Sequence, residues 1–245
     1  MLIVGSFVSP YVRKVLAVLE LKGLDYTVDP ITPFFGGDEF SRLSPLRRIP
    51  VLVDGDFVLN DSSAIVAYLD ESAPGQPILP TDPKDRARAR WIEEYADSRL
   101  GDLIIWGLFY QLFVRRMVWK EEPDQARVDR VVTRELPEAL DYLEDQAPEK
   151  GFMFGEIGIA DISIASFFRN AAYVDYRIDA DRWPKLAAWV AATLNHPVLE
   201  KLYAWERIQV STTIENRREA LTLAGAPLSE STMATREPRR GSMPL

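Results

Sequence analysis

Ser9-Pro10-Tyr11-Val12-Arg13-Lys14 stands where one kind of backbone gives way to another, and the fold is read outward from it. Before it, Leu2-Ile3-Val4 is a short apolar, largely β-branched run closed by Gly5, the mark of a strand. After it, Val12, Val15, Leu16 and Leu19 recur at helical spacing. Ser9 suits the N-cap and Pro10 the first helical turn, where a missing N–H costs nothing. A hydroxyl at such a junction sits among the unpaired amides and the positive end of a helix dipole, which together favour an anion. Ser9 therefore has two readings, a plain helix cap or part of an anion site, and the local sequence leaves both open.

The elements that follow alternate. The helix from Pro10 runs to about Lys22, with Gly23 as its C′ residue. Tyr26-Thr27-Val28 is a short strand that Pro30 ends. Residues 30–45, with two glycines and three prolines, form a long connection interrupted by a helical turn near Glu39–Leu43. Pro50–Val53 and Asp56–Leu59 read as a hairpin around Asp54-Gly55. A helix from Ser62 to about Ser72 closes this part. The order β-α-β-loop-β-β-α predicts a small mixed sheet with helices.

Residues 73–82 hold three prolines and a glycine and read as a linker. Beyond it no strand pattern appears. Asp82-Pro83 opens a helix expected to reach about Trp119. Another spans about Pro123–Gln146, with Pro137 expected to bend it. Further helices begin at Gly158, Trp183-Pro184 and Pro197. Residues 226–245, rich in Pro, Ser, Thr, Gly and Arg without periodicity, read as a mobile tail.

Composition excludes several functions. The 245 residues carry a formal net charge of -8, which argues against nucleic acid and against anionic membranes. There is no cysteine, so disulfides, thiolate metal sites and a cysteine nucleophile are ruled out. A single histidine, His196 in Asn195-His196-Pro197, supports neither a Ser-His-Asp triad nor a transition-metal site, and no metal is expected. The longest apolar window, Leu103–Val114, contains Gln111 and is shorter than the roughly 20 residues of a membrane span. Met1–Val4 is too short for the apolar core of a signal peptide, and a cytoplasmic protein is expected.

Four segments resemble the cytosolic glutathione transferase family. They are Ser9–Val15, Ser44-Pro45-Leu46-Arg47-Arg48-Ile49-Pro50-Val51-Leu52, Asn60-Asp61-Ser62-Ser63-Ala64-Ile65 and Gly158-Ile159-Ala160-Asp161-Ile162. The last three are similar to the family's N-P-x-G-K-V-P-V-L, E-S-x-A-I and S/T-x-A-D-I patterns, and all four follow its order and spacing. The resemblance implies a thioredoxin-like α/β domain over 1–75, a linker over 76–84 and an all-α domain over 85–210; residues 211–245 are read as a partly disordered extension. It implies glutathione as co-substrate, attack of its thiolate on an electrophile, and a homodimer.

By the same resemblance Ser9 stabilises the thiolate, with Ser6 and Tyr11 as weaker competitors. Pro50 is cis, turning the Ile49 main chain towards the tripeptide. Arg48 meets the glycyl carboxylate. Ser62, read as the cap of its helix, holds the γ-glutamyl carboxylate, and Asp61, one methylene shorter than the family's Glu, meets the α-amino group. Arg47 stands where the family often has Gly. An electrophile pocket between the domains is assigned to Phe34, Phe35, Trp106, Phe109, Tyr110 and Phe113, each of which also suits core packing. In Gly158–Ile162 the expectation concerns folding: Asp161 reaches back to the Gly158 N–H, flanked by Ile157 and Ile162. A second reading keeps the fold without catalysis, as a binding or scaffold protein.

Overall fold

The structure, a computed structural model, describes residues 1–240. They form two compact units: Met1–Gln76 together with the described residues from Pro197 onward, and Pro77–His196.

The first unit is built on a four-stranded sheet. Strands β1 (Leu2–Val4), β2 (Thr27–Asp29), β3 (Val51–Asp54) and β4 (Phe57–Asn60) lie in the order β2-β1-β3-β4. β1 and β2 are parallel; β3 runs antiparallel to β1 and to β4. With helices α1 (Pro10–Leu21), α2 (Asp38–Leu43) and α3 (Ser62–Ser72), this is the thioredoxin-like arrangement. The parallel pair needs a crossover, and α1 supplies it. α1 ends as its sequence dictates: Gly23 has φ 64, its N–H donates to Glu20 O at 3.1 Å, and Leu24 N–H donates to Leu19 O at 3.0 Å. That is the paired closure in which a left-handed glycine satisfies the last carbonyls. Gly55, at φ 60, turns the β3–β4 hairpin.

The same unit contains α9 (Pro197–Ser211) and α10 (Arg217–Leu223). Here the chain departs from the expected domain boundary at residue 210. Two side chains of α9 explain it. Glu206 receives Arg13 at 2.7–2.9 Å, both side chains being almost fully buried. Gln209 accepts from Phe7 N–H at 2.8 Å and donates to Pro30 O at 2.8 Å, satisfying main-chain groups just beyond β1 and β2.

The tail also departs from expectation. Val28 N–H donates to Pro227 O at 2.7 Å and Ser229 N–H to Val28 O at 3.0 Å, so residues 227–229 pair along the outer side of β2. An open strand edge is thereby covered. Residues 241–245 of the expected mobile segment lie outside the described residues.

The second unit is helical. α4 (Pro83–Tyr95) starts under an Asp82 cap that receives the Lys84 and Asp85 amides, and it continues over Ala96–Trp119 with wider, π-type turns. α5 (Gln125–Arg130) is capped by Asp124. A π-type stretch, Val131–Glu135, separates it from α6 (Leu136–Gln146). Pro137 is the second residue of α6, so the irregular turn sits where an imino nitrogen has no hydrogen to donate. α7 (Ile159–Ala172) and α8 (Pro184–Leu194) complete the unit. Asp161 works as its sequence implies: Oδ2 accepts the Gly158 N–H at 2.9 Å, while Oδ1 accepts Met153 N–H at 2.8 Å and the Trp189 indole N–H at 2.5 Å. Burial pushes the Asp161 carboxyl up from the usual range, and these donors counter it. Among the described residues no helix is long and apolar enough to cross a membrane.

Candidate functional site

Strand register collects the candidate residues. Val4 is paired with Asp29 on one side and Val51 on the other, and Val51 with Asn60. This row is one end of the sheet. Because β3 is antiparallel to its neighbours, the chain leaves β1 and β4 at this end and enters β3 there. The segments Gly5–Ser9, Arg48–Pro50 and Asp61–Ser62 therefore emerge side by side. Their closeness is also steric: a Cβ placed on Gly5 would lie 2.5 Å from Val12 Cγ2 and 3.2 Å from Ile49 Cβ. Only glycine lets the start of α1 and the Ile49 segment approach so closely.

Ser9 caps α1 with φ -72 and ψ 129, and its Oγ accepts the Val12 N–H over a long 3.4 Å. It is half-buried, and its hydroxyl makes no other hydrogen bond among the described residues. A hydroxyl that already accepts from its own helix has its proton left for an outside acceptor. The competitor Ser6 is buried and its Oγ accepts the Val8 N–H at 3.2 Å. The Tyr11 side chain belongs to the second residue of the helix and is half-buried.

The Ile49–Pro50 peptide is cis. The segment leading to it is held from behind by Ser44, a residue whose role went unread in the sequence. Its buried Oγ accepts the Arg48 N–H at 2.9 Å and donates to Arg48 O at 2.8 Å. Arg48 itself is exposed. Arg47 has φ 50, the left-handed region that a glycine would enter freely. What holds an arginine there is its guanidinium, which donates to Ser41 Oγ, to Pro33 O at 3.1 Å and to Gly36 O at 2.9 Å, and lies 5.6 Å over the Phe40 ring. Arg47 is thus a tie between the β3 approach and the 33–37 loop.

At α3 one expectation is corrected. The cap is Asp61, not Ser62: Asp61 has φ 76, and its Oδ1 accepts the Ser63 and Ala64 amides at 3.0 and 3.1 Å. An aspartate reaches the second and third amides where a serine one position later would point along the helix. Ser62 is the first helical residue and is 4% exposed. The positive φ of Asp61 is a strained conformation for a non-glycine residue, of the kind concentrated at ligand sites. Beneath this turn the buried Lys14 Nζ donates to Ser63 Oγ at 3.0 Å, tying α1 to α3.

The aromatic candidates divide between the units. Phe34 and Phe35 form a short 3-10 turn and are half-buried. Phe109 and Tyr110 are 8% and 4% exposed, so most of each ring packs inside the helical unit. Phe109 stacks on Phe113 at 5.0 Å, and Trp106 lies 5.4 Å from Tyr110. Trp106 and Phe113 are the more accessible of the four.

Comparison with known proteins gives the following. Residues 4–77 match the description "Glutathione S-transferase, N-terminal domain", and residues 91–192 match "Glutathione S-transferase, C-terminal domain". A glutathione S-transferase of Triticum aestivum is 30% identical over 199 residues, covering 80% of this chain and 89% of its own. Among solved structures, glutathione S-transferase III in apo form has a TM-score of 0.68 at 29% identity, covering 83% of this chain and 95% of its own. FzlA from C. crescentus shares the fold, with a TM-score of 0.75 at 21% identity over 83% and 91% of the two chains.

Proposed function

The chain belongs to the glutathione S-transferase family, and from that premise we propose that it transfers the glutathione thiolate to an electrophilic small molecule. The observation that carries this is the shared strand row Val4–Val51–Asn60, which sets Ser9, the Ile49 main chain and Asp61-Ser62 at one sheet end.

In this reading the Ser9 hydroxyl donates to the sulfur while the α1 N-terminus supplies a positive field. A free thiol titrates near 8.5, so a shift of about 2 units needs roughly 2.7 kcal/mol in favour of the thiolate. One charge-assisted hydrogen bond contributes about 1.5–3 kcal/mol, so Ser9 and the helix together are of sufficient size. The Ile49 amide and carbonyl pair with the cysteinyl main chain in the manner of an added strand. Arg48 takes the glycyl carboxylate. The first amides of α3 and the Ser62 hydroxyl take the γ-glutamyl carboxylate, and the Asp61 carboxylate, whose Oδ2 is not needed for the cap, takes the α-amino group. For the electrophile, each unit offers its own aromatic candidates: Phe34 and Phe35 in the sheet unit, and Trp106 and Phe113, backed by Tyr110 and Phe109, in the helical unit. A cytoplasmic homodimer acting in detoxification is carried over from the family.

Turnover of an aryl halide with glutathione tests this reading. Ser9→Ala should lower kcat by about 100-fold or more, the usual cost of losing one donor to a developing or resident anion. A second reading, a glutathione-transferase-like binding or scaffold protein without turnover, is fed by Asp61 in place of the family's Glu, with its Oδ1 committed to the helix, and by Arg47 before Arg48. Tight glutathione binding with no conjugation above the uncatalysed rate would establish it.

A further inference from the structure

The residues after β2 and the residues before the cis peptide are braced by the same late segment of the chain. Asp29, at the end of β2 and nearly fully buried, accepts the Thr232 hydroxyl and the Met233 N–H, each at 2.7 Å. Met233 O accepts the Gly37 N–H at 2.9 Å. Thr235 N–H donates to Phe35 O at 2.6 Å, and Arg239 N–H to Phe34 O at 2.7 Å. Arg239 also pairs with Asp38 at 2.6 Å. Every one of these bonds falls on the 33–38 loop or its root.

That loop is in turn the anchor of Arg47, through Pro33 O and Gly36 O. A second route is apolar. Val4, Ile31, Phe40 and Val51 form a buried cluster, against which Ile49 and Met233 both pack. The tail is therefore linked to the Arg47–Pro50 segment by two routes, one through loop hydrogen bonds and one through a shared core cluster. Gly37 leaves no room for slack: a Cβ there would lie 3.2 Å from Met233 O and 3.3 Å from the Thr235 methyl.

We infer that residues Pro227–Arg239 are a positioning element for the tripeptide site, holding the Arg48–Ile49–Pro50 main chain in the arrangement that receives glutathione. This rests on the family reading for the identity of the ligand, but the mechanical link does not. The tail touches no ligand atom in this account. It acts on Ile49 through Met233 and the core cluster that both pack against, and on Arg48 through the 33–38 loop and Arg47. A site built on a loop is only as well placed as what holds that loop, and preorganisation of this kind appears as affinity.

The test uses the full-length chain, its Met233→Ala and Met233→Leu variants, and a chain ending at Gly225. Amide hydrogen exchange is read at residues 35–37 and 47–49, with Ile162 in the helical unit as reference. Glutathione affinity is read by calorimetry. Met233→Ala should speed exchange at Arg47 and Arg48 as well as at Gly37, leave Ile162 unchanged, and weaken glutathione binding about tenfold. Met233→Leu, which refills the volume, should restore both readouts. Truncation should exceed Met233→Ala in the same direction; should the truncated chain fail to fold, the point variants decide.

Faster exchange confined to residues 35–37, with Arg47 and Arg48 unmoved, overturns the inference. So does unchanged glutathione affinity in a Met233→Ala protein with loosened Arg48. Failure of the intact chain to bind glutathione overturns the family reading of the ligand instead, and the exchange at 47–49 then decides the brace by itself.

Discussion

Asp61 carries two duties on one short side chain. Its Oδ1 caps α3, and its charge is assigned to an ammonium group. Substitution can separate the two. Asp61→Asn keeps a capping oxygen and tolerates positive φ, so its stability by urea titration should fall by less than about 0.5 kcal/mol. Glutathione affinity should nevertheless drop about tenfold, because an amide replaces a charged acceptor. Asp61→Ala should lose about 1 kcal/mol from the cap as well. The sequence marked Asp61 and Ser62 as a pair, yet it did not reveal which one caps. Both residue types are good caps, and only the backbone turn at Asp61 decides between them. Arg47 was equally opaque. Its partners are main-chain carbonyls of Pro33 and Gly36 and a ring at Phe40, none of which sequence spacing announces.

Helix α1 shows how an element can be legible on its face and hidden at its back. Its start, its glycine stop and its apolar stripe followed from residue type. Its buried charges did not: Arg13 is satisfied by Glu206, nearly two hundred positions later on α9. Breaking such a pair on one side strands a charge, whereas replacing both sides with apolar groups need not. Glu206→Ala should therefore destabilise the protein by about 3–5 kcal/mol, while Arg13→Met with Glu206→Leu should be more stable than either single change in urea. At the head of α7, the family's usual Ser or Thr is Gly158, and packing explains the difference. A Cβ there would stand 2.8 Å from Ile78 O. Gly158→Ser should cost about 1–3 kcal/mol despite adding a capping hydroxyl, measured by thermal or urea unfolding. The π-type winding over Ala96–Trp119 left no readable signal, since aromatic and apolar residues occur on every side of that stretch and mask its period.

At the scale of the molecule, the described residues begin and end in the same unit. The proline-rich stretch Ala73–Asp82 reads as a linker in the sequence, and the two compact units change over between Gln76 and Pro77. The return of α9, α10 and the tail to the sheet was hidden because its means are main-chain hydrogen bonds, single polar side chains and isolated apolar contacts, such as Trp205 on Phe7 and Met233 on the Val4 cluster. A Ser-, Thr- and Pro-rich segment lacks the apolar period that predicts packing, although it can still cover a strand edge. One consequence is that residues 1–76 expressed alone should not unfold cooperatively by circular dichroism. They would lack Gln209 for Phe7 and Pro30, and Glu206 for the buried Arg13.

All of the chemistry proposed for this framework turns on the state of one sulfur. The direct measurement is the ultraviolet absorbance of the thiolate in glutathione bound to the protein, followed across pH for the native chain and for Ser9→Ala. The native complex should titrate about 2 units below the ordinary thiol value of ~8.5, and the variant should return towards it. Coincident curves, with bound glutathione ionising at its ordinary value in both proteins, would contradict the account.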